Sequence, residues 1–124
     1  MIYDIYELRY IAEIEFSDII GEVVIEDINE IRLFLYEDSF IDVWFSLKLE
    51  NRYSYHWERV NVDGFIYRHD NAPHESWKNI KTFPKHFHNR NEPSVEESLI
   101  SDNLKDGLRE FLYFVRDKVK KNES

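Results

Sequence analysis

All five histidines of the 124-residue chain fall in one stretch: His56, His69, His74, His86 and His88. Imidazole titrates nearest to neutrality of all side chains, so histidines set among carboxylates and cations carry the parts of general acid–base catalysis. Charge singles out the same stretch. Residues 51–90 hold seven bases against four acids, whereas residues 1–50 hold thirteen acids against three bases. The net charge of −9 excludes a general nucleic-acid or membrane-surface coat. One basic, His-rich and aromatic third is therefore set in an otherwise acidic chain, and chemistry is expected there.

The segments 53–60 and 65–69 read as the two strands of a hairpin, with Asn61-Val62-Asp63-Gly64 at the turn. Asp63-Gly64 as a two-residue turn, or Asn61 to Gly64 as a four-residue loop, puts His56, Glu58, Tyr67 and His69 on one face. His56, Glu58 and His69 then supply a base and an acid, two imidazoles flanking a carboxylate. The opposite face receives Tyr55, Trp57, Arg59, Ile66, Arg68 and Asp70, and Arg59 beside Arg68 asks for an anion between them. A loop of three or five residues would flip one strand and break this grouping.

The following loop carries a second constellation. Asn71-Ala72-Pro73-His74 leads to Thr82-Phe83-Pro84-Lys85-His86-Phe87-His88. In extended backbone His86 and His88 point to the same side, a geometry metals accept, with His69 or His74 as a third nitrogen and Asp70 as an oxygen donor. His74, His86, His88 and Asp70 are thus alternative catalytic or metal-binding residues, although the spacing matches no specific zinc pattern. Alternatively, His86 and His88 bond loop carbonyls and pack on Trp77. Arg59, Arg68 and Lys85 are candidate phosphate contacts, with Tyr67 and Trp77 as surfaces on which a base stacks.

These residues need a scaffold, and the patterning predicts an α+β fold. Residues 6–16 alternate apolar and charged, which favours a strand, yet Ile5, Leu8 and Ala12 also line one helix face. Strands are predicted at 22–27, 31–36 and 40–47, giving with the hairpin an antiparallel sheet of about five strands. Residues 71–101 read as loop, because Pro73, Pro84 and Pro93 interrupt them. Leu104, Leu108, Phe111, Leu112, Val115 and Val119 form a helical stripe, so a C-terminal helix over 102–121, capped by Ser101 or Asp102, covers one sheet face. The whole chain, 1–124, reads as one domain.

Other classes find no support. There is no cysteine, hence no disulfide framework, no CxxC zinc site and no thiol nucleophile. No apolar run is long enough to span a bilayer, and the first residues lack a basic, cleavable leader, so a cytoplasmic location is expected. A Gly-rich phosphate loop, GxSxG and HExxH are all missing.

Three blocks together are distinctive: Tyr53-Ser54-Tyr55-His56-Trp57-Glu58, Ile66-Tyr67-Arg68-His69-Asp70-Asn71-Ala72-Pro73-His74, and Thr82-Phe83-Pro84-Lys85-His86-Phe87-His88. With Ser39-Phe40-Ile41-Asp42-Val43-Trp44 and Arg109-Glu110-Phe111-Leu112-Tyr113-Phe114-Val115-Arg116, they resemble the TumE family of prokaryotic toxin–antitoxin proteins, from about Ile31 onward. The resemblance implies a small cytoplasmic toxin and a cognate antitoxin partner, often with a helix-turn-helix; it hands over no catalytic residues. Three readings follow. The first is a metal-free toxin acting on RNA. The second is a metal-dependent hydrolase or nucleotidyl-transfer site on the loop histidines. The third is a non-enzymatic module that docks a partner protein.

Overall fold

The computed structural model describes residues 4–122. The chain opens with helix α1 (Ile5–Tyr10), continued by a wider π-helical turn (Ile11–Glu15). The weak strand expectation for 6–16 is thereby corrected. Ile5, Leu8, Ile11, Ala12 and Phe16 are buried at helical spacing, while Tyr6, Tyr10 and Ile14 are exposed. The apparent alternation mixed two faces of one helix. Asp4 starts the helix by accepting from the Tyr6 amide at 2.9 Å, and Arg9 and Glu13 pair one turn apart at 2.7 Å.

Seven strands follow in sequence order as one antiparallel meander: β1 (Ile20–Asp27), β2 (Glu30–Leu35), β3 (Phe40–Phe45), β4 (Tyr53–Arg59), β5 (Phe65–Asp70), β6 (His86–Arg90) and β7 (Val95–Glu97). The α+β class and the single antiparallel sheet agree with expectation; the strand count does not. β6 and β7 lie inside the stretch expected to be loop. His86, His88 and Asn89 carry no apolar alternation, so the strand shows in the sequence only through Phe87, its one apolar residue on the covered side. A short 3₁₀ turn (Glu75–Trp77) is the other regular piece there.

Helix α2 (Leu104–Asn122) lies across one face, and its six stripe residues are all buried. Its cap is Asn103, whose side chain accepts from the Asp106 amide at 3.1 Å, rather than Ser101 or Asp102. Phe111 meets Tyr55 at 5.8 Å, and Phe114 meets Trp57 and Tyr67 at 6.4 and 5.2 Å. The N-terminal helical segment lies beside α2, tied to it by Arg109–Glu15, and the turn after it by Arg116–Asp18, each at 2.9 Å. One sheet face is thus covered by helices while the other stays open, which accounts for the alternating burial of β2 to β4.

Gly107 sets how closely α2 approaches β4. A Cβ there would lie 2.6 Å from the Tyr55 hydroxyl oxygen, which is fixed by donating to the Leu104 carbonyl at 2.9 Å. Alanine normally gains about 1 kcal/mol over glycine inside a helix. Here we expect Gly107→Ala to lose about 1–3 kcal/mol instead, as overpacked cores do. Urea unfolding measures the sign; a stabilised variant would contradict this close packing.

The hairpin decides which residues share a face. Arg59 pairs with Phe65, so residues 60–64 form a five-residue loop. Asp63 holds it: its carboxylate accepts from Arg59 Nε at 2.9 Å and from the Phe65 amide at 3.0 Å, and Gly64 takes the required positive φ of 80°. One strand is consequently flipped relative to both anticipated registers. His56 faces Arg68 and Glu58 faces Ile66 on the open side, while Tyr67 and His69 join Tyr55 and Trp57 under α2.

Candidate functional site

On the open face, cross-strand pairing builds a polar row from β2 to β6: Arg32, Asp42, His56, Arg68 and His88. In the adjacent row Asp70 pairs with His86. Where these rows reach β6, a cleft of about 490 Å³ opens. Its walls are Arg68 and Asp70 from β5, His86 and His88 from β6, Trp77 from the 3₁₀ turn with His74 capping it, and Glu92 from the β6–β7 turn.

Both β6 histidines are held by a main-chain carbonyl. His86 Nδ1 lies 2.9 Å from the Pro84 carbonyl oxygen, and His88 Nδ1 lies 2.8 Å from that of Glu92. A carbonyl only accepts, so each Nδ1 carries its proton and each Nε2 is left for other work. Nε2 of His88 accepts from Arg68 Nη2 at 3.1 Å. Nε2 of His86 lies 3.1 Å from Asp70 Oδ1. Trp77 packs on both rings, 6.1 and 5.9 Å away between centroids. The expected carbonyl bonds and Trp77 packing are therefore both present, and they fix the tautomers.

The two imidazoles are driven in opposite directions. Burial opposes charge on His86, but the Asp70 carboxylate and the Pro84 carbonyl outweigh it, so its pKa is raised above the ordinary imidazole value. Burial dominates at His88, and with Arg68 nearby its pKa is lowered. Burial would raise Asp70, yet hydrogen bonds from His86, the Ala72 amide and Arg68 lower it, keeping it ionised. The cleft therefore sets an imidazole biased toward its protonated form beside one biased toward its neutral form.

Asp70, His86 and His88 have donor atoms within 4.8 Å of one another, so they are the described residues that could hold a divalent cation. An internal cation already serves them. Arg68 donates through Nε to Asp70 at 3.1 Å as well as through Nη2 to His88, and so balances the carboxylate.

The other anticipated residues have different surroundings. His56 and Glu58 stay together, 3.4 Å apart, half-buried beside the cleft on β4. His69 is separated from them by the sheet; its Nδ1 is bonded to Ser98 Oγ at 2.7 Å and its ring stacks on Phe87 at 4.2 Å. Burial, with Lys85 nearby, pushes its pKa down to about 3, so it is a neutral core residue. Tyr67 belongs to the same core. Lys85 binds the Ile100 carbonyl and Asp102 and lies outside the cleft walls. Arg59 is buried between Glu37 and Asp63, on the face opposite Arg68, which removes the expected crowding of the two cations. His74 lines the cleft, with Nδ1 accepting from the Ser76 amide at 3.1 Å.

A profile of the family described as toxin TumE matches residues 8–119. The chain belongs to the TumE toxin family. No curated protein and no solved structure matches it significantly. Membership supports a toxin role, and the match extends past the recognisable blocks into the N-terminal helical segment, from residue 8. Among the described residues no helix is long and apolar enough to cross a membrane.

Sequence reasoning passed over one wall of this TumE-family cleft. Glu92 clamps Arg68 through two bonds of 2.7 and 2.6 Å, while its backbone carbonyl orients His88. The available signal was its position four residues after His88, but with residues 85–95 expected to be loop nothing directed it toward β5.

Proposed function

We propose that this chain is the toxin of a toxin–antitoxin module and cleaves RNA without a metal, using the cleft between β5, β6 and the 3₁₀ turn. Its partner is a cognate antitoxin protein. The observation that carries the reading is the fixed pair of imidazoles whose Nε2 atoms face Arg68 and Asp70 in one cleft. Arg68 passes its Nη2 hydrogen bond from His88 to the phosphoryl oxygens, which frees the Nε2 lone pair of neutral His88 to take the proton from a ribose 2′-hydroxyl. The 2′-oxygen then bonds to phosphorus as the bond from phosphorus to the 5′-oxygen breaks. Cationic His86 gives the Nε2 proton that it holds against Asp70 to that departing oxygen, breaking its bond to Asp70 and leaving a 2′,3′-cyclic phosphate and a 5′-hydroxyl. Arg68 neutralises the charge gathering on the phosphoryl oxygens, and Asp70 holds both Arg68 and His86. Trp77 offers a face to the adjacent base, and His56, opposite Arg68, adds a donor beside the cleft.

The test is incubation of purified chain with single-stranded RNA, with the new ends identified chemically. Cyclic phosphate ends that persist in chelator support the reading. Cleavage lost in chelator and restored by Mn²⁺ transfers the site to a metal-dependent hydrolase on Asp70, His86 and His88, which their donor geometry permits. Intact RNA, with tight antitoxin binding, leaves the docking-module reading.

The pH profile follows from the opposed shifts. Activity needs His88 neutral and His86 protonated. Because the base's pKa is lowered and the acid's raised, that state dominates between the two values. We expect a bell-shaped profile, with its acid limb below the ordinary imidazole value of 6.5 and its alkaline limb above it. A narrow peak at that value would mean that the two rings are not tuned apart.

A further inference from the structure

We propose that Arg68, with His56 beside it, forms a binding site for a phosphate group, and that the Glu92 side chain is its resident competitor, displaced when substrate enters. This rests on the cleft being a phosphodiester site and adds the group that controls entry to it.

The geometry of the Arg68–Glu92 contact is the first reason. Both carboxylate oxygens bond to the two terminal nitrogens of one guanidinium, at 2.7 and 2.6 Å, which is the fork a phosphate offers. Arg68 is braced from the other side by Asp70 through Nε at 3.1 Å and stands within a central strand. The arginine is therefore prepositioned and keeps its aim when Glu92 leaves.

Glu92 is the partner free to move. Its side chain is 57% exposed, against 24% for Arg68 and 2% for His88. It belongs to the turn between β6 and β7, which is held by its own bonds: Asn91 Oδ1 accepts from the Ser94 amide at 2.8 Å, and Asn89 donates to Glu96 at 2.9 Å. Rotation of the Glu92 side chain uncovers Arg68 and the edge of His88. It leaves the backbone carbonyl that orients His88 in place. His56, the cross-strand neighbour of Arg68, extends the donor set toward β4.

The chemistry also explains why an acidic group sits there at all. A carboxylate and a phosphodiester each carry one charge over two oxygens, but the phosphodiester can add a base stacked on Trp77. Glu92 thus excludes small monoanions and yields to a nucleic-acid strand that brings more contacts.

The probe is a single-stranded oligodeoxynucleotide, which lacks the 2′-hydroxyl and so binds without being cut, with inorganic phosphate beside it. Glu92→Gln keeps the backbone and the side-chain size while removing the charge. We expect it to tighten both ligands about tenfold at low salt, as expected for loss of one charge-assisted contact. Arg68→Gln placed on top of it should abolish the gain. Glu92→Asp, whose carboxylate is drawn back from Arg68 by one methylene, should fall between wild type and Glu92→Gln and serves if the latter folds poorly. Unchanged or weaker binding in Glu92→Gln, with a lowered Tm, overturns the proposal and makes Glu92 a structural clamp. The two readings fail separately. Tighter binding by Glu92→Gln without RNA cleavage by any variant keeps the phosphate site and removes the ribonuclease. Cleavage with unchanged affinity does the reverse.

Discussion

Replacing either β6 histidine by asparagine is expected to lower RNA cleavage by roughly a thousandfold, within the range for loss of a general acid or base. Asparagine suits the question because its amide nitrogen stands close to Nδ1 of the imidazole. It can still donate to the Pro84 or Glu92 carbonyl, while nothing occupies the place of Nε2. Both rings are buried, so Tm should fall, and cleavage is compared at a temperature where both variants remain folded, which separates lost chemistry from lost structure. The double variant should be only slightly worse than either single one, because acid and base serve the same bond-breaking event. His69→Asn supplies the contrast. That ring is stacked on Phe87 and bonded to Ser98 in the core, so its replacement should lower Tm before it changes chemistry at the cleft. Growth arrest on induced expression should follow the in vitro order. If His86→Asn and His88→Asn cleave within threefold of wild type, the cleft is not the ribonuclease site.

The contrast between His86 and His69 shows what the sequence could convey. Concentration of histidine and arginine in residues 51–90 pointed to the strands that line the cleft, and His86-x-His88 in extended backbone did place both rings on one side. The helical stripe of α2 was legible for the same reason: local periodicity survives folding when one element packs on one surface. The face carrying His69 was not legible, because it depends on the parity of one turn. Five residues rather than two or four separate β4 from β5, and Asp63 bonded to Arg59 selects that length. β6 was hidden because its open-face residues are themselves the polar site, so chemistry replaced the alternation that marks a strand. In the N-terminal segment, helical and strand periods coincided over Leu8 and Ala12, and only burial against the sheet and α2 separates them.

Arg59 turns the same parity into a measurable stability effect. The sequence made it a candidate phosphate contact, but its side chain is 2% exposed, lies over Trp57 with 4.3 Å from the guanidinium carbon to the ring centre, and bonds Glu37 at 2.7 Å and Asp63 at 2.9 Å. Arg59→Ala removes the cation from between two carboxylates and leaves a gap beside the largest core ring. Breaking a buried pair costs about 3–5 kcal/mol; both acids keep some contact with water, so about 3 kcal/mol is expected. For a domain of this size that corresponds to a fall in Tm of about 10 °C or more. Arg59→Met fills much of the volume but leaves Glu37 and Asp63 facing each other, and adding Glu37→Gln and Asp63→Asn should recover most of the loss. A phosphate contact behaves differently: its removal flattens the dependence of nucleic-acid affinity on salt. We expect Arg68→Gln to change that slope and folded Arg59→Met to leave it unchanged. The reverse pattern would mean that Arg59 turns outward in solution and that the five-residue loop is not the one the chain adopts.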